Sequence, residues 1–322
     1  MSNTPSSANK AHQPVSFSDL AASPLQRLHS SLLDSKGVEV YVKRDDLIHP
    51  QFGGNKWRKL KYNLIHAREK HYDTLLTFGG AWSNHIYATA AAARHFGFNS
   101  IGMIRGEKHT PLNNTLAFAE DCGMQLHYID RARYRQKHQQ EYLQKIQQDF
   151  GDAYLLPEGG SNELALKGCE QIVHEINDEI QQSFDVICCA SGTGATLAGL
   201  ARAISDSQLA IGFSALKGGS FLSDEVASYL HGTAPGTETN PPTNNWQIEL
   251  DFHFGGYAKI DDQLVSFMNQ FQSQHGFELD AVYTGKMFYG LFHRIESGYF
   301  KPGTVIVAVH SGGLQGNKGF NL

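Results

Sequence analysis

Lys56 sits in the string Gly53-Gly54-Asn55-Lys56-Trp57-Arg58-Lys59-Leu60, where a glycine turn opens directly into a helical pattern. Trp57, Leu60, Leu64 and Ala67 recur on one face at helical spacing. A lysine in a first helical turn faces the positive end of the helix dipole, which disfavours its ammonium form. Arg58, Lys59 and Lys61 add like charge and push the same way. An amine held partly neutral is a nucleophile, and an aldehyde cofactor captures such an amine as an imine. The same string also fits a solvated basic helix start.

Glycine-rich turns gather further chemistry. Thr77-Phe78-Gly79-Gly80-Ala81-Trp82-Ser83-Asn84-His85 leads into an alanine-rich helix, with Ser83 at an N-cap position. Asn84 and His85 then lie beside a helix N-terminus, which attracts carboxylates or phosphates; a plain capped helix is the alternative. Ala190-Ser191-Gly192-Thr193-Gly194-Ala195-Thr196 follows an apolar run and precedes a helix. Its amides and hydroxyls suit a phosphate monoester. It lacks both the lysine of a nucleotide P-loop and the full dinucleotide fingerprint. His310-Ser311-Gly312-Gly313 offers a hydroxyl at another strand end, while Pro157-Glu158-Gly159-Gly160-Ser161-Asn162 reads as a structural turn. Tyr257 and Tyr283 stand beside glycines, which lets a ring be approached closely, although most tyrosines simply pack.

The elements that must position these residues alternate. Strands are expected at Val38–Lys43, Thr74–Phe78, Ser100–Ile104, Gln125–Ile129, Asp185–Ala190, Leu209–Ser214 and Thr304–Val309. Helices are expected at Lys56–Lys70, Asn84–Phe96, Leu112–Asp121, Tyr134–Phe150, Glu163–Gln182, Ala195–Ile204, Asp261–Gln274 and Lys286–Ser297. That order implies βαβ units and a parallel sheet covered on both faces, with ligands beyond the carboxyl ends of its strands.

Composition sets the bounds. The 322 residues allow one large domain or two ordinary ones, and 32 glycines with 41% hydrophobic residues describe a soluble globular protein. A net charge of −5 points to neither nucleic acid nor an anionic membrane. The basic residues between Lys43 and Lys61 are a local exception that suits a small anionic ligand. Four cysteines lack metal or redox spacing, and Cys188-Cys189 reads as a buried thiol pair, so no metal is expected. Polar Met1 to Pro14 shows no signal peptide and no stretch reads as a bilayer span, which places the chain in the cytoplasm. Thr233 to Asn245 reads as an exposed loop.

Taken jointly, several strings resemble the 1-aminocyclopropane-1-carboxylate deaminase / D-cysteine desulfhydrase family. They are Lys43-Arg44-Asp45-Asp46-Leu47, Gly53-Gly54-Asn55-Lys56 with Arg58-Lys59-Leu60, Ser83-Asn84-His85, Gly159-Gly160-Ser161-Asn162, Tyr283-Thr284-Gly285-Lys286 and His310-Ser311-Gly312-Gly313. The resemblance implies a pyridoxal 5'-phosphate enzyme of α/β class, with two open, mostly parallel sheets and helices on both faces (the tryptophan-synthase-β-like fold type II). It further implies a large cofactor-binding domain from residues 1–60 and 160–322 and a smaller inserted domain from 61–159. By the same resemblance Lys56 carries the imine, and Gly192, Thr193, Gly194, Ala195 and Thr196 hold the cofactor phosphate. Asn84 would bond the ring hydroxyl, Ser83 and His85 would receive the substrate carboxylate, and Tyr283 with Tyr257 would flank the substrate amine. A homodimer acting on a small amino acid is also implied.

Two positions discriminate within the family. The deaminase branch has Glu after the site tyrosine and a bulky aliphatic after the late His, whereas this chain has Thr284 and Ser311, resembling the desulfhydrase branch. A neutral hydroxyl at the pyridine nitrogen leaves a weaker electron sink than a carboxylate, which favours β-elimination over cyclopropane opening. The cycle implied begins with substrate displacing Lys56, after which Lys56 or Tyr283 removes the α-proton and a β-group departs. Trp82 stands where the family usually has Gln, so the substrate side of the pocket should differ and suit a bulkier or β-substituted amino acid. A deaminase, a racemase or a silent binding protein are the rival readings.

Overall fold

The computed structural model describes residues 16–231, 245–320 and Leu322. The polar N-terminus to Pro14 and the expected loop at Thr233–Asn245, apart from Asn245, fall outside the described residues. Strands β1 (Leu25–Leu28), β2 (Glu39–Lys43), β7 (Val186–Ser191), β8 (Leu209–Ser214), β9 (Trp246–Glu249) and β10 (Val305–Val309) form one sheet. Its order is β1-β2-β10-β7-β8-β9. Only the β1–β2 pair is antiparallel. The second sheet, ordered β5-β4-β3-β6, is wholly parallel and uses β3 (Thr74–Gly80), β4 (Asn99–Arg105), β5 (Met124–Ile129) and β6 (Tyr154–Leu156).

The central strands explain themselves. Every residue of β7 (VICCAS) and β10 (VIVAV) is buried, as a continuous apolar run demands when helices cover both faces of a sheet. The neighbours Cys188 and Cys189 point to opposite faces of β7, into two different cores, and both are free thiols. A disulfide between them is thereby excluded.

Five helices carry or flank the site: α1 (Asn55–Glu69), α2 (Asn84–Phe96), α3 (Glu163–Glu179), α4 (Ala195–Ala203) and α5 (Thr284–Glu296). Helix α1 connects the first sheet to the second and lies along α3. Arg58 pairs there with Glu175 and with Asp45 at 2.7 Å, and Asn63 bonds Asn162. The expected helix at Tyr134–Phe150 is in fact two, Arg131–Tyr134 and Gln140–Phe150. The intervening Arg135-Gln136-Lys137-His138-Gln139 offers no apolar residue to bury. Strands β1, β6 and β9 and the helices Ser31–Lys36 and Phe221–His231 were not foreseen. No helix among the described residues is long and apolar enough to cross a membrane.

Candidate active site

The turns that follow β3, β7 and β10 open on one cavity of about 950 Å³. Lys56, Trp82, Ser83, Asn84, His85, Gly192, Thr193, Gly194, Thr196, Tyr257, Tyr283 and Ser311 all line it. Ala195 and Thr284 are buried behind its wall.

The loop after β7 has the features of an anion cradle. Gly194 takes φ of +77° and caps α4 without a side chain, leaving the helix's first amides free. A Cβ on Gly192 would stand 3.0 Å from the Tyr283 ring, so only glycine lets that ring approach. Thr196 Oγ1 accepts from Asn55 Nδ2 at 3.1 Å, and Thr193 Oγ1 lies 2.9 Å from Ser161 Oγ. Lys59 is buried beside this loop. Its ammonium donates to Gly159 O, Ser161 Oγ and Thr193 Oγ1 at 3.2–3.3 Å. It pairs with no carboxylate among the described residues. Burial lowers its pKa. A buried cation held only by neutral oxygens is unfavourable unless an anion completes it. Helix amides, hydroxyls and this ammonium therefore fit a phosphate monoester.

Lys56 is the second residue of α1, with Nζ 3.3 Å from Asn55 Oδ1. Its pKa is lowered to about 7, first by burial and then by the Lys59 charge. The direction and the Lys59 charge agree with the sequence expectation, but burial is the leading cause and Arg58 and Lys61 are not among the causes. Arg58 is neutralised by Asp45 and Glu175, and Lys61 bonds Gln171 at 3.0 Å. Lys43 and Arg44 are likewise paired, with Glu175 and Asp46. The basic run Lys43–Lys61 is thus mostly compensated, and only Lys56 and Lys59 of its cations line the cavity.

At the start of α2, Ser83 Oγ accepts from Ile86 N at 3.3 Å, which leaves its proton free to donate. Asn84 Oδ1 accepts from Gln315 Nε2 at 3.0 Å, so the amide presents its Nδ2. His85 is oriented differently from the expectation. Thr77 Oγ1 donates to Leu156 O at 3.0 Å, so at its 2.7 Å contact with His85 Nε2 it accepts. The ring is therefore an Nε2–H tautomer whose buried Nδ1 has only a lone pair and no partner. Burial and the charges of Lys56 and Lys59 hold it neutral. Such a ring cannot donate to a carboxylate, which corrects the side-chain role expected for His85. Ser83 and the α2 amides remain as donors.

Asp280 organises the other wall. Its carboxylate accepts from the amides of Val282, Tyr283 and Thr284 and from Thr284 Oγ1, at 2.7–3.0 Å. The Asp280 amide donates back to Thr284 Oγ1. Thr284 is fully engaged there and does not reach the cavity, a correction to its expected contact with the cofactor. Ser311 does reach it. The Tyr283 hydroxyl is pushed well above its usual pKa by burial, then by Tyr257 and Asp280. It is held as the phenol, which makes it a hydrogen-bond donor in the free site. Tyr257 meets Tyr283 edge-on at 6.1 Å, and its hydroxyl reaches Trp82 O at 3.5 Å. Trp82, Tyr257 and Phe221 all expose large apolar area at the cavity mouth.

The place of Lys59 at the phosphate-loop cradle, and Asp280 altogether, escaped sequence reasoning. The spacing of Lys59, three after Lys56 on one helix, was the available signal. Asp280 precedes a turn whose amides its carboxylate accepts, and an Asp ahead of a turn was the available signal there.

A family model described as pyridoxal-phosphate dependent enzyme matches residues 18–312. A bifunctional D-cysteine desulfhydrase/1-aminocyclopropane-1-carboxylate deaminase of Arabidopsis thaliana is 30% identical over 298 residues, covering 87% of this chain and 73% of that one. A D-cysteine desulfhydrase of Yersinia pestis is 29% identical over 303 residues, covering 91% of each chain. A crystal structure of an ACC deaminase homologue superposes with a TM-score of 0.75 at 29% identity, over 94% of this chain and 93% of that one.

Proposed function

The chain belongs to the family of pyridoxal-phosphate dependent enzymes, and from that premise we propose a lyase that eliminates a β-substituent from a small amino acid. Its products are a 2-oxo acid, ammonia and the departing group, as for a D-cysteine desulfhydrase. One observation carries this reading: an amine with pKa lowered to about 7 shares a cavity with an anion cradle completed by an uncompensated buried lysine.

Pyridoxal phosphate, when bound, supplies an aldehyde for amines and a ring that withdraws charge from the substrate's α-carbon. Gly192, Thr193, Gly194, Thr196 and Lys59 would hold its phosphate, with Ala195 as the first residue of the helix behind them. Asn84 Nδ2 and Ser311 Oγ are the free polar groups for its ring. Lys56 Nζ, neutral in part near pH 7, accepts the α-proton. Tyr283, held as a phenol, donates a proton or hydrogen bond near the substrate amine or leaving group. Ser83 Oγ and the α2 amides bind the substrate carboxylate. Ser311 carries a neutral hydroxyl rather than a carboxylate at its position, which supports elimination over ring opening. The same reading carries a homodimer in the cytoplasm, checked by sedimentation and by fractionating cells of the source organism.

The test is a screen of D- and L-amino acids with β-leaving groups for ammonia and 2-oxo acid release. Turnover of at least one, abolished in Lys56→Ala, is expected. Faster ammonia release from 1-aminocyclopropane-1-carboxylate, or racemisation without ammonia, defeats the elimination reading.

A further inference from the structure

A second cavity of about 390 Å³ is lined by Arg105, Arg131, Tyr134, Arg135 and Lys137. Arg105 and Lys137 also line the main cavity, so the two share a wall. Four cations here face one carboxylate partner, Glu158, which pairs with Lys137 at 3.2 Å. Arg105, Arg131 and Arg135 make no ion pair among the described residues. Three positive charges are thus left over, in a chain whose net charge is −5.

The cluster is built around a fixed centre. Tyr134 is 2% exposed, and its hydroxyl donates to Glu158 at 2.6 Å. The Arg105 guanidinium and the Lys137 ammonium lie 5.4 and 5.0 Å from its ring centroid. Arg105 ends β4, and its Nη2 lies 3.3 Å from where a Cβ on Gly80 would stand. Gly80 begins the turn to Ser83 and Asn84, so the free guanidinium adjoins the carboxylate-binding end of the main cavity. Like charges brought together around a hollow repel one another until an anion enters, and guanidinium forks match oxyanions.

We propose that this cluster binds a second anionic group on the substrate, a carboxylate, sulfonate or phosphate borne on the side chain of an amino acid. The inference rests on the amino-acid chemistry proposed for the adjoining cavity and narrows its substrate class. Arg105 reads the anion from the shared wall, and Arg131 and Arg135 supply the field from beyond it.

Holoenzyme is titrated with D- and L-phosphoserine, cysteate and aspartate, and with serine, cysteine and asparagine as neutral counterparts. Calorimetry and the bound cofactor's visible absorption report binding. At least one anionic ligand should bind about tenfold or more tightly than its neutral counterpart, and comparing the three identifies the oxyanion. The ratio should fall several-fold in Arg131→Gln/Arg135→Gln, whose exposed positions spare the fold, and should shrink in high salt. Equal binding of both classes, or a ratio unmoved in the double variant, overturns the inference alone. Failure of every amino acid to bind defeats the underlying functional reading, and this one with it.

Discussion

The lowered pKa of Lys56 gives the sharpest quantitative expectation. An amine of pKa 10.5 is neutral in about one molecule per thousand at pH 7.5, whereas one at about 7 is neutral in about three-quarters. Lys56 should therefore react several hundredfold faster than an ordinary lysine at that pH. Competitive labelling of the apoprotein with acetic anhydride, read by mass spectrometry at each lysine, measures this directly. Its midpoint should lie near pH 7. Lys59→Met removes the second cause of the shift and should raise the midpoint, but not to 10.5, because burial is the larger cause. The unfolded chain binds the extra proton between about pH 7 and 10.5, so apoprotein stability should rise with pH across that window and flatten in Lys56→Met. A labelling midpoint above about pH 9 refutes burial as the controlling influence.

Other consequences follow from the same geometry. Lys59→Met should weaken pyridoxal phosphate binding by about 10–100-fold while leaving unphosphorylated pyridoxal nearly unaffected, as fluorescence titration of apoprotein would show. Tyr283→Phe should lower kcat by about 10²-fold or more without altering the far-ultraviolet circular dichroism, since it deletes a proton donor and keeps the ring. Gly54 has φ of +69°, and a Cβ there would stand 1.9 Å from Ser311 O. Gly54→Ala should therefore cost more than about 3 kcal/mol in urea unfolding. Gly97→Ala, with φ of +77° but open space around it, should cost only about 1 kcal/mol.

What could be read from the sequence were the features set by neighbours along the chain. The run Asp185–Ala190 announces a strand, found one residue on at Val186–Ser191, and Ser83 announces a helix start, which it caps. Three strands were missed because their signals are short or unpatterned. Leu25–Leu28 reads LQRL, Tyr154–Leu156 is three residues, and Trp246–Glu249 is a sheet edge. Charge was the least legible property. The basic run Lys43–Lys61 is neutralised by Asp45 and Asp46 within it and by Glu175, more than a hundred residues away, and no local pattern reveals the last. The unpaired cations instead meet across β4 and the 131–137 segment. His85 shows the same limit, since its tautomer is fixed by Thr77 and by Leu156 on a neighbouring strand.

The most direct measurement is borohydride reduction of the holoprotein followed by peptide mapping. Covalent cofactor should be found on Lys56 alone, with loss of the label in Lys56→Ala. Label on Lys59 or another lysine, or none at all, contradicts the assignment of Lys56 as the reactive amine.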